Sequence, residues 1–374
     1  MTRKIFTQKA RRIVLKIGTN VISDKGTPNE TRLKEISHEI SELINKGKEV
    51  IVVTSGAIGY GAGILLPKGM TPKTIPMKQA CASVGQPILM SYYRKYFQDF
   101  GFSVGQILLT NDIVKHNAAF RNARNTMLTL IGKKSIPIVN ENDSVSVDEI
   151  KFGDNDSLAA AVSLVVGADT CVLLSDIDGF YLNYQDEEKR EKLDSVKEIT
   201  DFILKEAGGN ESAYSTGGMK TKINAAKILM KAGINMAIIS GKTPGAFTEL
   251  FNGNPVGTIF AAEGSTLSGV RRWLKEIAKV EGSVEVDEGA YQALIGKGKS
   301  LLPSGIIGVN KNFDSGAAVD IEFAGKCFAR GISWYHSADI KKIMGKKTSE
   351  IHSILGYKDY DEIIHRDNLL IINC

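Results

Sequence analysis

Four regions of this 374-residue chain carry residue types suited to handling charged ligands. Lys16 follows Val14-Leu15 and stands just before Gly18-Thr19. An ammonium there can reach phosphate oxygens while the glycine lets backbone N–H groups approach the same anion. Ser55-Gly56-Ala57 closes a second apolar run, so its N–H groups can open a helix and hold an anion. The plainer readings are a surface lysine and a simple turn. Asn140-Glu141-Asn142-Asp143 and Phe152-Gly153-Asp154-Asn155-Asp156 crowd carboxylates and amides onto one polar loop. Such groups can hold a substrate ammonium, orient lysines or support a metal. They also serve as caps and Asx-turns, with Asp156 capping a helix that starts at Ser157. Thr216-Gly217-Gly218-Met219-Lys220-Thr221-Lys222 is a glycine turn delivering two lysines to a helix start, which suits a phosphate-gripping loop.

Other strings fail on context. Gly241-Lys242-Thr243 and Gly298-Lys299-Ser300 match the tail of a P-loop, but Met236 and Ala293 stand where its first glycine belongs. Asp99-Phe100-Gly101 and His365-Arg366-Asp367 match protein-kinase strings in the wrong order. All four are set aside as coincidences.

The elements that must position the polar residues alternate. Ile13–Ile17, Val50–Val53, Val104–Leu109, Ile136–Val139, Thr170–Leu174 and Met236–Ile239 read as short buried strands. Between them, Leu33, Ile36, Ile40, Leu43 and Ile44 share one helical face, and Met77–Phe97, Ser157–Val166 and Lys222–Lys231 read as helical runs. Asn111 or Asp112 is placed to cap a further helix. The pattern predicts an α/β fold, with an open, mostly parallel sheet sandwiched by helices and ligands bound at the C-terminal ends of its strands. The rhythm changes near Leu267–Lys279, a connecting helix. Beyond it, short strands such as Ala318–Phe323 and Phe328–Ile332 alternate with glycine turns, predicting a small β-barrel-like domain. The expected division is 1–265, a linking helix at 266–280, and 281–374.

Composition narrows the class. Apolar residues make up 43% and charged residues 24%, which suits a globular protein rather than a disordered one. No apolar run approaches the roughly 18 residues that span a bilayer, and no apolar segment follows the basic start, so neither a membrane protein nor a secretory leader is expected. Cys81, Cys171, Cys327 and Cys374 are scattered without CxxC spacing, which favours a reducing, cytoplasmic setting over a disulfide framework or zinc site. The net charge of +5 resides in Arg3, Lys4, Lys9, Arg11 and Arg12, leaving 42 basic and 42 acidic residues elsewhere. That concentration reads as a solvated or oligomer-contacting terminus.

Taken together, Val14–Thr19, Thr54–Ile58, Val84-Gly85-Gln86, Asn140–Asp143, Phe152–Asp156, Leu174–Tyr181 and Thr216–Lys222 resemble the glutamate 5-kinase family of the amino acid kinase superfamily. Gly298–Pro303 and Ile364–Asn368 resemble its C-terminal PUA domain, and Ser215 departs from the glycine usual before Thr-Gly-Gly. The resemblance covers residues 10–372 and implies transfer of the ATP γ-phosphoryl group to the side-chain carboxylate of L-glutamate, opening proline biosynthesis. It implies catalytic roles for Lys16, Asp156 and Lys222. Glutamate falls on Ser55, Asp143 and Asn155, with Asp143 accepting from the ammonium and Asn155 pairing with a carboxylate. ATP falls on Lys16, Ser175, Asp176, Thr216, Gly217, Gly218, Met219, Lys220, Thr221 and Lys222. Mg²⁺ rides on the phosphates with no protein ligand named. Proline is implied as feedback inhibitor, a homo-oligomer as the assembly, and glutamyl phosphate reductase as the downstream partner. The rival readings are a sister kinase acting on another carboxylate, carbamate or nucleotide, and an RNA-binding protein working through the PUA domain. Residues 275–374 carry 13 basic and 14 acidic residues, which argues against strong RNA binding.

Overall fold

Six apolar runs in the first 260 residues become strands of one sheet. The structure is a computed structural model that describes residues 3, 6–7, 10–24, 27–110, 117–145, 155–208, 218–262, 271, 274 and 280–372. The chain divides into two compact units, residues 1–112 with 123–265 and residues 113–122 with 266–374.

The first unit holds β1 (Arg12–Ile17), α1 (Glu30–Asn45), β2 (Glu49–Thr54), α2 (Ala57–Leu65), α3 (Ile75–Gln98), β3 (Ser103–Leu109) and, from Ala123 onward, α4 (Asn117–Gly132). It continues with β4 (Ser135–Glu141), α5 (Asn155–Val166), β5 (Thr170–Ser175), β6 (Ser195–Val196), α6 (Met219–Lys231), β7 (Asn235–Ser240), α7 (Ala246–Asn252) and β8 (Thr258–Phe260). The strand order is β6-β8-β7-β5-β1-β2-β4-β3. Every pairing is parallel except β7 with β8. The central strands lie buried on both faces, as a parallel sheet between helix layers requires, so they read as unbroken apolar runs rather than alternating ones. The predicted face of α1 points inward, with Leu33, Ile36, Ile40 and Leu43 buried and Ile44 packed at its edge.

Two glycine contacts press α2 against α3. A Cβ on Gly61 would lie 1.8 Å from the Cys81 carbonyl oxygen, and one on Gly85 would lie 1.8 Å from the Ala57 carbonyl oxygen. Only glycine permits so close an approach.

The second unit contains β9 (Val280–Val286), α8 (Glu288–Lys297), β10 (Ile306–Asn310), β11 (Ala318–Phe323), β12 (Lys326–Ile332) and β13 (Leu369–Ile371). The strands form a mixed sheet in the order β10-β9-β11-β12-β13. Asp287 caps α8 by accepting from the Ala290 N–H at 2.7 Å. Tyr291 on α8 stacks on Phe323 with ring centroids 4.4 Å apart. The expected linking helix lies mostly outside the described residues, as do Asn111 and Asp112. Cys81 and Cys171 are free and buried, but Cys327 is disulfide-bonded, which the expectation of a reducing setting did not foresee. Spacing along the chain gave no sign of it. Among the described residues no helix is long and apolar enough to cross a membrane.

Candidate active site

Four adjacent strands, β5, β1, β2 and β4, deliver polar residues to their C-terminal ends, the edge where open α/β sheets bind ligands. Lys16 sits within β1 opposite Val53 and Leu173. Its Nζ lies 2.7 Å from Asp156 Oδ1, while Lys222 Nζ, from the first turn of α6, lies 3.1 Å from Asp156 Oδ2. Lys16 is 7% exposed, Lys222 5% and Asp156 0%, so all three charges are withdrawn from water. Burial alone would raise the Asp156 carboxyl, but the Lys16 and Lys222 ammonium groups hold it below the usual carboxylate range. Thr221 Oγ1 adds a hydrogen bond to Asp156 Oδ2 at 3.0 Å. Asp156 lies in the first turn of α5, which begins at Asn155 rather than Ser157, and it is spent on two lysines rather than on capping.

Asn155 occupies the same turn. Its Nδ2 lies 2.6 Å from the Thr54 carbonyl oxygen, 2.7 Å from Ser55 Oγ and 3.2 Å from Asn140 Oδ1. Two amide hydrogens face three acceptors here, so the expected pairing of Asn155 Nδ2 with a substrate carboxylate requires one of these bonds to be given up. What remains is the Asn155 Oδ1, which is buried and has no partner among the described residues. Ser55, Asn140, Asp143 and Asn155 line one cavity of about 1490 Å³. Burial pushes the Asp143 carboxyl up to about 6. Gly56, between Ser55 and α2, has φ +106°, a left-handed conformation that favours glycine, and it turns the chain into the helix start.

The nucleotide-side expectations meet the structure unevenly. Ser175 closes β5, and its Oγ donates to Asp176 Oδ1 at 3.1 Å, while Asn20 Nδ2 donates to Asp176 Oδ2 at 3.1 Å. Burial would raise the Asp176 carboxyl, but these bonds and the Lys222 charge bring it below the usual range. Gly218 is the N-cap of α6 and Met219, Lys220 and Thr221 form its first turn, with Lys220 exposed. Thr216 and Gly217 lie outside the described residues, as do Phe152–Asp154. Among the described residues no cluster of His, Cys, Asp or Glu could hold a metal ion. Sequence reasoning missed the Thr54 carbonyl and the hydrogen bond from Asn140 Nδ2 to Gln86 Oε1 at 2.8 Å. A glycine beside a glutamine at 85–86 was the available signal.

The amino acid kinase family model matches residues 11–240, and the PUA domain model matches residues 282–355. The glutamate 5-kinase of Moorella thermoacetica is 44% identical over 99% of this chain and 98% of its own length. That of Geobacter sulfurreducens is 43% identical over 99% of this chain and 100% of its own. Among solved structures, carbamate kinase from Giardia lamblia bound to AMP-PNP superposes with a TM-score of 0.50 at 15% identity, covering 68% of this chain and 99% of that one, a likeness of fold alone. By sequence over nearly its whole length and by the fold of its first unit, the chain belongs to the glutamate 5-kinase family, within the amino acid kinases.

Proposed function

We propose that this chain transfers the γ-phosphoryl group of ATP to the side-chain carboxylate of L-glutamate, forming L-glutamyl 5-phosphate and ADP in the first step of proline biosynthesis. The observation that carries the reading is the buried Lys16–Asp156–Lys222 array next to the Ser55 and Asn155 cavity. A carboxylate oxygen attacks the γ-phosphorus as the bond to the β–γ bridging oxygen breaks. The nucleophile is already ionised at neutral pH, so the protein needs positioning and charge neutralisation rather than a general base. Lys16 and Lys222 face the spreading negative charge, and Asp156 keeps both ammonium groups in place without reorganisation during transfer.

On the acceptor side Ser55, Asp143 and Asn155 hold glutamate. On the donor side Ser175, Asp176 and the turn from Thr216 to Lys222 hold ATP. Mg²⁺ enters as the counterion of ATP, since both oxygens of Asp156 are committed to lysines. The reading extends to proline as an inhibitor at the glutamate site, a homo-oligomeric cytoplasmic enzyme, and glutamyl phosphate reductase as the consumer of the product. Residues 1–265 carry the chemistry, 266–280 link, and 281–374 form the PUA domain. A chain ending near residue 265 that melts cooperatively is expected to keep phosphoryl transfer.

Coupled ADP release with glutamate, aspartate and N-acetylglutamate tests the substrate. Glutamate is expected to be turned over alone. Equal turnover of another acceptor replaces the assignment with a sister kinase.

A further inference from the structure

Gln86 stands behind the glutamate side of the site and does not line its cavity. The close approach that Gly85 permits to Ala57 fixes this turn of α3 against the start of α2. There Gln86 Oε1 accepts from Asn140 Nδ2 at 2.8 Å, and Asn140 Oδ1 accepts from Asn155 Nδ2 at 3.2 Å. All three side chains are more than nine-tenths buried. The direction of the whole chain follows from one backbone atom. The Thr54 carbonyl oxygen, 2.6 Å from Asn155, carries no proton, so Asn155 must present Nδ2 to it. Asn140 must then offer Oδ1 to that Nδ2, and Gln86 must offer an oxygen to Asn140. Reversing any member sets two acceptors or two donors against each other. Among the described residues two atoms of this chain are left buried without partners, Oδ1 of Asn155, a residue that lines the cavity, and Gln86 Nε2 at the far end. A buried acceptor without a donor costs free energy until a ligand supplies one.

We propose that Gln86 is a positioning residue for substrate recognition. Through Asn140 it holds Asn155 so that Oδ1 accepts a hydrogen bond from the α-ammonium of glutamate. The inference rests on the glutamate kinase reading. Without the Gln86 oxygen, Asn140 Nδ2 loses its acceptor and competes for a new one, and the Asn155 amide is no longer held in one orientation. The cost falls on binding of the ammonium, not on phosphoryl transfer.

Steady-state kinetics of the full chain test this, with glutamate and ATP varied separately. Gln86→Met is expected to raise KM for glutamate about tenfold, with kcat and KM for ATP within about twofold of wild type. Gln86→Glu, which still offers Asn140 an oxygen, is expected to recover KM to within about threefold. Glutarate lacks the α-ammonium, so its inhibition constant as a competitor of glutamate is expected to be indifferent to Gln86→Met. In an Asn140→Ala background Gln86→Met is expected to add nothing, because the path it acts through is already cut. Gln86→Asn keeps an amide but shortens its reach, and it carries the same expectation if the Met variant does not melt cooperatively. An unchanged KM for glutamate overturns the proposal. So does a parallel rise for ATP or glutarate, failure of Gln86→Glu to recover, or full additivity with Asn140→Ala. If wild type itself shows no glutamate-dependent ADP release, the kinase reading has failed instead.

Discussion

A cavity of the first unit and a cavity of the second differ in what their linings have already committed. The cavity of about 1490 Å³ in the first unit is lined by Asn155, whose donors are spent and whose acceptor is buried and unpaired among the described residues, beside a fully buried carboxylate. The cavity of about 670 Å³ in the second unit is lined by charges that reach water, with Lys299 exposed and the Arg366 side chain 62% exposed. Among the described residues, none of the buried polar atoms without a partner lies on that second lining. Burying a polar group without a partner is costly, so a fold that does so at one place leaves a debt that a bound molecule can settle. Solvated charges on a groove carry no such debt. The contrast separates a site prepared for a ligand from a concavity between well-paired elements.

The sharpest way to break that contrast is to remove a committed charge. Lys16→Met or Lys222→Met is expected to lower kcat by about 10²–10³, with a smaller effect on KM for glutamate, as for loss of one preorganised electrostatic contact. Asp156→Ala strands two buried ammonium groups and is expected to cost about 3–5 kcal/mol of folding stability as well. Steady-state kinetics and a denaturant titration read the two effects apart. Near-normal turnover in both lysine variants would take them out of the chemistry.

A smaller loss is expected from the recognition side. Asp143→Ala and Asn155→Ala each remove an acceptor for the substrate ammonium, and a partner left unpaired costs about 1–3 kcal/mol. KM for glutamate is expected to rise accordingly while KM for ATP stays within about twofold. A fall in ATP affinity at constant KM for glutamate would move both residues to the wrong side of the site.

The charged half was legible in the sequence because its backbone signals are strong. Strands buried on both faces read as continuous apolar runs, so Lys16 within one of them and Ser55 just past another fall at the C-terminal ends without ambiguity. The three-residue strand β8 left no such trace and is the antiparallel exception. The amide half was legible only as composition. Which face each amide presents depends on the Thr54 carbonyl, a backbone atom that no residue type announces. The reading of Asn155 as a carboxylate partner was drawn from residue type alone and took no account of that atom. The second cavity joins two strings dismissed separately as coincidences. The Arg366 N–H donates to Ser300 Oγ at 3.0 Å, and Leu301 bridges Ile364, a pairing invisible across some 60 intervening positions.

The pH dependence sharpens the comparison further. Asp143 has its carboxyl raised to about 6 by burial, against an ordinary value near 3.8. The fold therefore favours the protonated form. The stability this group contributes is full below about 3.8 and is lost as pH rises through about 6. Glutamate binding runs the opposite way, because only the carboxylate attracts an ammonium. KM for glutamate is expected to fall by up to about tenfold per unit as pH rises from 5 to 6 and then level off, whereas in Asp143→Asn this limb disappears. A flat profile in wild type across pH 5–7 would free Asp143 from the ammonium.

The smallest effect is expected where the second cavity is stripped of charge. Lys299→Ala and Arg366→Ala remove side chains that lie in solvent, and it is the Arg366 backbone, not its guanidinium, that holds Ser300. Substitutions of this kind change stability by no more than about 0.5 kcal/mol. The double variant is therefore expected to match wild type within about twofold in kcat and both KM values, with its thermal midpoint essentially unmoved. The argument depends on the debt being confined to the first cavity. If the double variant instead loses turnover at an unchanged melt, then exposed charges on the PUA domain do govern the kinase reaction. Buried, unpaired atoms would then be an insufficient guide to where this chain does its work.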